Sequence, residues 1–321
     1  MPQGISVIIP NFNGQELLSR NLPTVIQSLQ GISPSEIIVV DDASTDDSVQ
    51  FLTHHYPQVI VIRNPHNRGF GASVNEGVTH ARFDLVLLLN SDVQPDDNYI
   101  RSSIKFFEKE DTFGVMGAIR DGDSGKVMEG VKYPLIKISG LKYKDIRGVS
   151  IERCPDSTYT FYLCGGNALL DKDKYLKLGG MLEVYHPFYQ EDVDLSVRAW
   201  LSGWKSYYNS EASCSHQTSS TIKRYFSKEY ISSVSKRNRL IISHLYLRGF
   251  DRAAFKLITR LKSWYYFIQF KVNGKSVYPG YREYYSLKDS LDRYISGASS
   301  NNTIRPLVRQ IQRNIWKNLK A

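Results

Sequence analysis

The stretch Leu85-Val86-Leu87-Leu88-Leu89-Asn90-Ser91-Asp92 decides how the rest of the chain reads. An unbroken apolar run ends abruptly in a polar cluster that carries a carboxylate. A strand apolar throughout has to be covered on both faces, as in the parallel sheet of an α/β protein. Ligands of such sheets sit beyond the carboxyl ends of the strands. Asp92 therefore stands where a hard cation and a phosphate would meet it. Carboxylates suit Mg²⁺ or Mn²⁺, and Mg²⁺ commonly binds through one or two carboxylates plus substrate phosphates. On these residues alone a second reading stays open: Asn90, Ser91 and Asp92 as the cap of a helix starting near Asp97.

Upstream, Ile5–Pro10 reads as a first buried strand and Pro10-Asn11-Phe12-Asn13-Gly14 as the turn after it. Leu17, Leu18, Leu22, Val25, Ile26 and Leu29 have the spacing of a helix packed on a sheet, with Pro23 as a kink or as its true start. Glu36–Val40 is a second strand ending in Asp41-Asp42, with Ser44 or Thr45 capping a helix through Leu52. Val59–Ile62 is a third strand and Gly69–Ala81 the next helix. Strands alternating with helices in this order give βαβ units and a mainly parallel sheet.

Downstream the pattern loosens. Residues 120–157 show no clear period and read as a long loop or hairpin insertion, a length that is usually functional. Tyr159–Leu170 has strand character interrupted by Gly165-Gly166, and Glu191–Leu201 is helical, with Val193, Val197 and Trp200 on one face. A short strand, Lys205–Tyr208, precedes His216. Beyond Ser220 the chain is helical and basic.

Three strand ends aim polar groups at one edge: Asn11 and Asn13, Asp41 and Asp42, and Asn90 to Asp92. Convergence in a parallel sheet puts them in a single crevice. One of Asp41 and Asp42 is expected to cap the following helix, leaving the other to accept from a base or ribose. Asn67-Arg68-Gly69-Phe70-Gly71 fails the dinucleotide fingerprint, because Val74 stands where the third glycine belongs and the loop follows the third strand. It reads either as a diphosphate neighbour beside Arg68 or as a tightly packed helix entrance. Gln190-Glu191-Asp192-Val193-Asp194 sets three carboxylates at a helix start, where the dipole alone would favour them. Glu191 and Asp192 are expected to point apart, with Asp192 free to take a proton from a hydroxyl. His216, followed by the hydroxyl run 217–221, is either structural or a ligand to a metal or phosphate.

The chain has 321 residues, of which 41% are hydrophobic and 23% charged, ordinary for a globular protein with one large α/β domain plus a helical extension. No leader pattern and no membrane-length apolar run is read. Cys154, Cys164 and Cys214 lack metal-ligand spacing and cannot all pair, which points to a reducing cytoplasm. There the Asn301-Asn302-Thr303 sequon carries no meaning. The net charge of +9 is uneven: residues 221–321 hold 21 Lys and Arg against 5 acidic residues, and residues 1–220 hold 20 against 27. A basic tail faces nucleic acid, an anionic membrane or an acidic substrate. With no nucleic-acid motif beside the charge, nucleic acid is not expected. Leu261–Lys271, rich in Trp, Tyr and Phe between cations, suits a membrane interface or packing on the core or a second subunit.

Taken together, Ser6–Asn13, Ile38–Asp46, Asn67–Phe70 and Leu89–Asp92 resemble the family 2 glycosyltransferases of the GT-A fold, most nearly the bacterial rhamnosyltransferase-type enzymes of surface polysaccharide assembly. Gly165–Leu170, Glu191–Asp194 with Arg198, and His216 fit in order and spacing, and the resemblance covers roughly residues 4–245. It implies a Rossmann-like nucleotide-sugar half (about 1–119), an acceptor half (about 120–221) and a basic, mainly helical region (222–321). It also implies inverting transfer of a sugar from a nucleotide-diphosphate donor to the hydroxyl of a saccharide or lipid-linked acceptor, with Mg²⁺ or Mn²⁺. Pro10, Phe12 and Asp42 would line the nucleoside pocket, with Asn13, Asp41, Asn67, Arg68, Gly69, Asn90, Ser91, Gly166 and Glu191 as further substrate contacts. Asp92 and His216 would hold the cation, and Asp192 would be the general base. The Asn90-Ser91-Asp92 motif lacks the first carboxylate of the family pattern. The 120–157 segment would contact acceptor, so deleting 123–150 is expected to abolish acceptor use and spare donor binding. The location implied is cytoplasmic, peripheral at the inner face of the plasma membrane. A non-catalytic nucleotide-sugar binder and a nucleotidyltransferase are the alternatives. The second wants a glycine-rich phosphate loop after the first strand, which Pro10–Gly14 is not.

Overall fold

Side chains alternate across a strand, so Val7 and Ile9 of β1 (Ile5–Asn11) face one side of the sheet and Ile8 the other. All three are buried. The run that opens the sequence forms β4 (Leu85–Leu89) and divides in the same way. Val86 and Leu88 join Ile8 and the Val74 and Val78 side chains of helix α3 (Phe70–His80). Leu87 and Leu89 join Val7, Ile9 and the Leu18, Leu22 and Val25 side chains of α1 (Gln15–Ser28). Burial on both faces is why no position in the run is polar. Gly77 lets α3 sit this close, because a Cβ there would stand 2.4 Å from Ile8 Cγ2.

The computed structural model describes residues 4–148, 151–216, 224–274, 276–297 and 304–320. Strands β2 (Ser35–Asp41) and β3 (Ile60–Arg63) continue the parallel half, in the order β3-β2-β1-β4. The other half is mixed, and the sheet as a whole keeps the mainly parallel character expected of it. Strand β10 (Asn167–Asp171) runs antiparallel between β4 and β6 (Thr112–Asp121). Strand β11 (Lys205–His216) is parallel to β6 and antiparallel to the short β5 (Val93–Pro95). Chain order reverses at β1, which is flanked by β2 and β4, and this opens a crevice at their carboxyl ends.

Several boundaries differ from the sequence reading. Helix α1 runs through Pro23 instead of starting there. Helix α2 (Ser48–His55) begins later than expected, with the Asp46 carboxylate accepting from Ser48 N at 3.1 Å. Residues 90–92 cap nothing: β5 follows them, and Asp96 opens the turn into α4 (Tyr99–Ile104). The 120–157 insertion is a hairpin, β8 (Val131–Lys137) and β9 (Gly140–Ile146), preceded by the short β7 (Val127–Glu129). Its Val131, Tyr133 and Leu141 are buried in the main core. Deleting 123–150 would therefore remove core as well as any acceptor contacts, so it no longer isolates them.

After α5 (Lys172–Lys177), α6 (Glu191–Leu201) and β11, the described residues include helices α7 (Lys228–Tyr246), α8 (Gly249–Asn273), α9 (Tyr278–Gly297) and α10 (Ile304–Lys320). Much of this basic region packs on the core, one of the two readings open for it. In α10, Ile304, Val308, Ile311 and Ile315 form a buried stripe at helical spacing. Trp316 Nε1 donates to Tyr133 Oη at 2.7 Å. Helix α8 differs: Leu257, Leu261, Trp264, Tyr265, Ile268 and Val272 are exposed. Residues 217–221 and the 301–303 sequon lie outside the described residues. Among those described, no helix is long and apolar enough to cross a membrane.

Candidate active site

The crevice is a cleft of about 530 Å³. Its walls include Pro10, Phe12, Asp42, Asn67, Gly69, Asn90, Ser91, Asp92, Gly166, Glu191, Asp192 and His216, so strands far apart in sequence bring these predicted residues together. Asn13, Asp41 and the Arg68 side chain are not among its lining. Asn13 Oδ1 accepts from Thr45 N at 2.7 Å and ties the β1 and β2 loops together. Asp41 is buried and accepts from Asn11 Nδ2 and Ser44 N. The Arg68 guanidinium turns to Glu76 and Glu183, at 3.3 and 3.2 Å, which corrects its reading as a diphosphate neighbour.

Asp42 organises the donor-side wall. Its Oδ1 accepts from Asn64 Nδ2 at 2.7 Å and Arg68 N at 2.9 Å, and its Oδ2 from Gly69 N at 2.8 Å. Three bonds leave a carboxylate with acceptor capacity to spare. Gly69 has φ +81°, and a Cβ there would stand 2.8 Å from Pro187 O, so the loop closes this tightly only with glycine. Opposite, Asn90 N donates to Gly166 O at 3.2 Å, which brings Gly165-Gly166 against the β4 end.

The register of β11 on β5 sets His216 against Val93, one residue from Asp92. His216 Nε2 lies 3.1 Å from Asp92 Oδ2, and this hydrogen bond raises the ring's pKa. Two ligand atoms at right angles on one cation, with bonds of about 2.1 Å, also stand about 3 Å apart. The pair thus fits two ligands of one Mg²⁺ or Mn²⁺. Among the described residues no group of three or more His, Cys, Asp or Glu side chains is placed to hold a metal. The remaining positions on such an ion would fall to phosphate oxygens and water.

The Glu191–Asp194 carboxylates have separate fates. Asp194 is structural: Arg198 Nε donates to it at 2.7 Å, Tyr246 Oη at 2.6 Å and Tyr185 Oη at 3.1 Å. Glu191 and Asp192 both line the cleft, against the expectation that they point apart. The turn before them explains this. Tyr189 and Gln190 have φ +75° and +79°, a left-handed pair uncommon without glycine. Asn238 of α7 holds that turn, its Nδ2 lying 2.7, 2.9 and 2.8 Å from the carbonyls of Tyr185, Phe188 and Tyr189. Asp192 accepts from Gly165 N at 3.3 Å and Val193 N at 2.8 Å. Burial pushes its carboxyl up to about 6, against those two N–H groups. Burial, then the neighbouring Asp192 charge, raises Glu191 as well, and among the described residues Glu191 Oε2 is buried without a partner.

Sequence reasoning missed Glu129, Tyr143, Tyr162, Tyr225, Phe226 and Arg239, all of which line the cleft. Burial would raise Glu129, but the ion pair to Lys132 at 2.6 Å overcomes it and holds the carboxyl low. The signal for these residues was only the Tyr and Lys content of the insertion and the basic tail.

Comparison with known proteins agrees with this geometry. The model of glycosyl transferase family 2 matches residues 6–179, more than half of the chain. The chain belongs to that family, and is a glycosyltransferase with the GT-A fold. EpsE of Bacillus subtilis (strain 168), named as a candidate glycosyltransferase, is 24% identical over 225 residues, 65% of this chain and 70% of EpsE. Several other curated relatives are matched over only 14% to 36% of their own length. Among solved structures, S. aureus TarS 1–349 in complex with UDP-GlcNAc superposes with a TM-score of 0.56 at 13% identity, covering 99% of this chain and 89% of that one. The mannosyltransferase PcManGT from Pyrobaculum calidifontis, in complex with GDP-Man and Mn²⁺, gives 0.55 at 14% identity, over 98% and 85%.

Proposed function

We propose that the protein transfers a sugar, with inversion, from a nucleoside-diphosphate sugar to a hydroxyl acceptor, in the assembly of a surface polysaccharide or glycolipid. The observation that carries this reading is the convergence of Asp42, the Asp92–His216 pair and Asp192 on one cleft. Pro10, Phe12 and Asp42 bind the nucleoside. Asp92 and His216 would hold a divalent cation, which when bound would supply charge to offset that of the departing diphosphate. Asp192 takes the proton from the acceptor hydroxyl as its oxygen bonds to the anomeric carbon and the bond from that carbon to the diphosphate oxygen breaks. One base and one displacement invert the anomeric centre. TarS with UDP-GlcNAc and PcManGT with GDP-Man and Mn²⁺ support the donor class and the metal by analogy. The test is stabilisation of the purified chain by UDP, dTDP and GDP with Mn²⁺, since a ligand of the folded state raises the melting midpoint. No stabilisation by any of them would refute the reading.

A base must be ionised to act, so kcat/KM is expected to rise with pH through about 6 as Asp192 loses its proton. A profile flat from about pH 5 to about pH 8 would remove Asp192 from that role.

The exposed α8 stripe, flanked by Arg260, Lys262 and Lys271, supports docking on an anionic lipid surface. Full-length protein is expected to bind phosphatidylglycerol vesicles in low salt, and the double variant Leu261→Asp, Trp264→Asp to lose that binding. Equal binding by the variant would refute the docking face.

A further inference from the structure

Beside the cleft lies a cluster of cations that the transfer mechanism does not use. Lys142 of β9 and Lys236 of α7 lie within electrostatic reach of each other, and each of Arg239 of α7 and Lys262 of α8. Among the described residues none of the four has a carboxylate at ion-pair distance. The backbone explains how they meet. Leu141 N donates to Ser243 Oγ at 3.1 Å, and Ser243 Oγ donates to Arg239 O at 2.8 Å, so β9 is fastened to α7 beside Lys142. Lys236 and Arg239, three residues apart, share a face of α7. The Lys236 ammonium sits 5.0 Å over the Tyr281 ring, a contact that leaves it without a counter-ion.

We propose that Lys142, Lys236, Arg239 and Lys262 form a phosphate-binding subsite for the acceptor, so that the acceptor is a phosphate-bearing molecule. The inference rests on the transfer reaction proposed above and names its acceptor class. Partly buried ammonium groups crowded without a counter-ion are costly, and an arriving phosphate removes that cost. Burial followed by mutual repulsion lowers both lysines, Lys236 to about 8, as expected of a site short of an anion. Of the four, Arg239 lines the cleft, and the other three stand behind it, off the cleft wall. Tyr143, next to Lys142, accepts from Gln190 Nε2 at 2.7 Å. Tyr143 also feels both the Asp192 carboxylate and the Arg239 guanidinium. A phosphate here would thus hold an acceptor whose hydroxyl reaches Asp192. The donor diphosphate has its own place at Asp92 and His216.

The probe is sodium tripolyphosphate, titrated calorimetrically into the full chain in EDTA so that no metal carries it to Asp92. Binding is expected in low salt, lost in high salt, and weakened tenfold or more in the Lys142→Gln, Lys236→Gln double variant. Nucleoside diphosphate with Mn²⁺, titrated separately without EDTA or tripolyphosphate, is expected to bind parent and variant alike. Undiminished tripolyphosphate binding in the variant would overturn the subsite. Loss of phosphatidylglycerol-vesicle binding with tripolyphosphate binding retained would overturn it too, by assigning the lysines to the lipid surface. If no nucleoside diphosphate binds while tripolyphosphate binding remains lysine-dependent, the donor reading fails separately.

Discussion

Asp192→Asn is expected to lower turnover about 10²- to 10⁴-fold, the usual worth of a general base, with donor affinity retained. The side chain faces the cleft, and its two hydrogen bonds come from backbone N–H groups, which an Asn carbonyl oxygen can still accept in part. Unfolding is not the expected cause of the loss. A carboxyl raised in the folded state binds its proton more tightly there, so its stabilising contribution is present at low pH and fades as pH rises through about 6. Above that pH the ionised Asp192 opposes folding, so the neutral amide is expected to melt no lower than the parent at about pH 8. The variant should also lose the acid limb of the pH profile. Unchanged turnover in a folded variant would remove Asp192 from the role. Glu191, raised further by burial and by Asp192 itself, is held protonated where Asp192 is ionised and makes a poor substitute.

Asp92→Ala is expected to abolish the Mn²⁺-dependent part of nucleoside-diphosphate stabilisation. At a ligand concentration one hundred times Kd that stabilisation is about 2.7 kcal/mol, large enough to follow as a shift in midpoint. Asn90 and Ser91 offer no second carboxylate in the motif, so His216 alone would remain from the pair. A metal-dependent shift that survives in Asp92→Ala would make the Asp92–His216 contact a clamp between the β4 end and β11, without a metal role.

The parallel half of the sheet was legible because burial on both faces leaves an unmistakable pattern in Ile5–Ile9, Ile37–Val40 and Leu85–Leu89. The polar strand ends followed from the same fact. The direction of the strands in the mixed half was not legible. Asn167–Asp171 is as apolar as a parallel strand, and its direction depends on partners 50 or more residues away. Helix periodicity placed Glu191 and Asp192 on diverging faces, because nothing local announces two left-handed residues just before them. Asn13, Asp41 and the Arg68 side chain lie off the cleft wall for a related reason: polar groups at a strand end serve the loops first. Asn238 carried no signal, since an Asn within a basic helical stretch looks like surface.

That asparagine has a consequence for how such a chain could be recombined. The residue holding the turn in front of the base comes from α7, beyond the stretch the family model matches. A chimera joined near residue 221, with the front of this protein on a foreign tail, would inherit every residue proposed to touch the sugar donor. It would lack the clasp that keeps Asp192, the proposed base, aimed, so a workable seam for exchange lies after Tyr246.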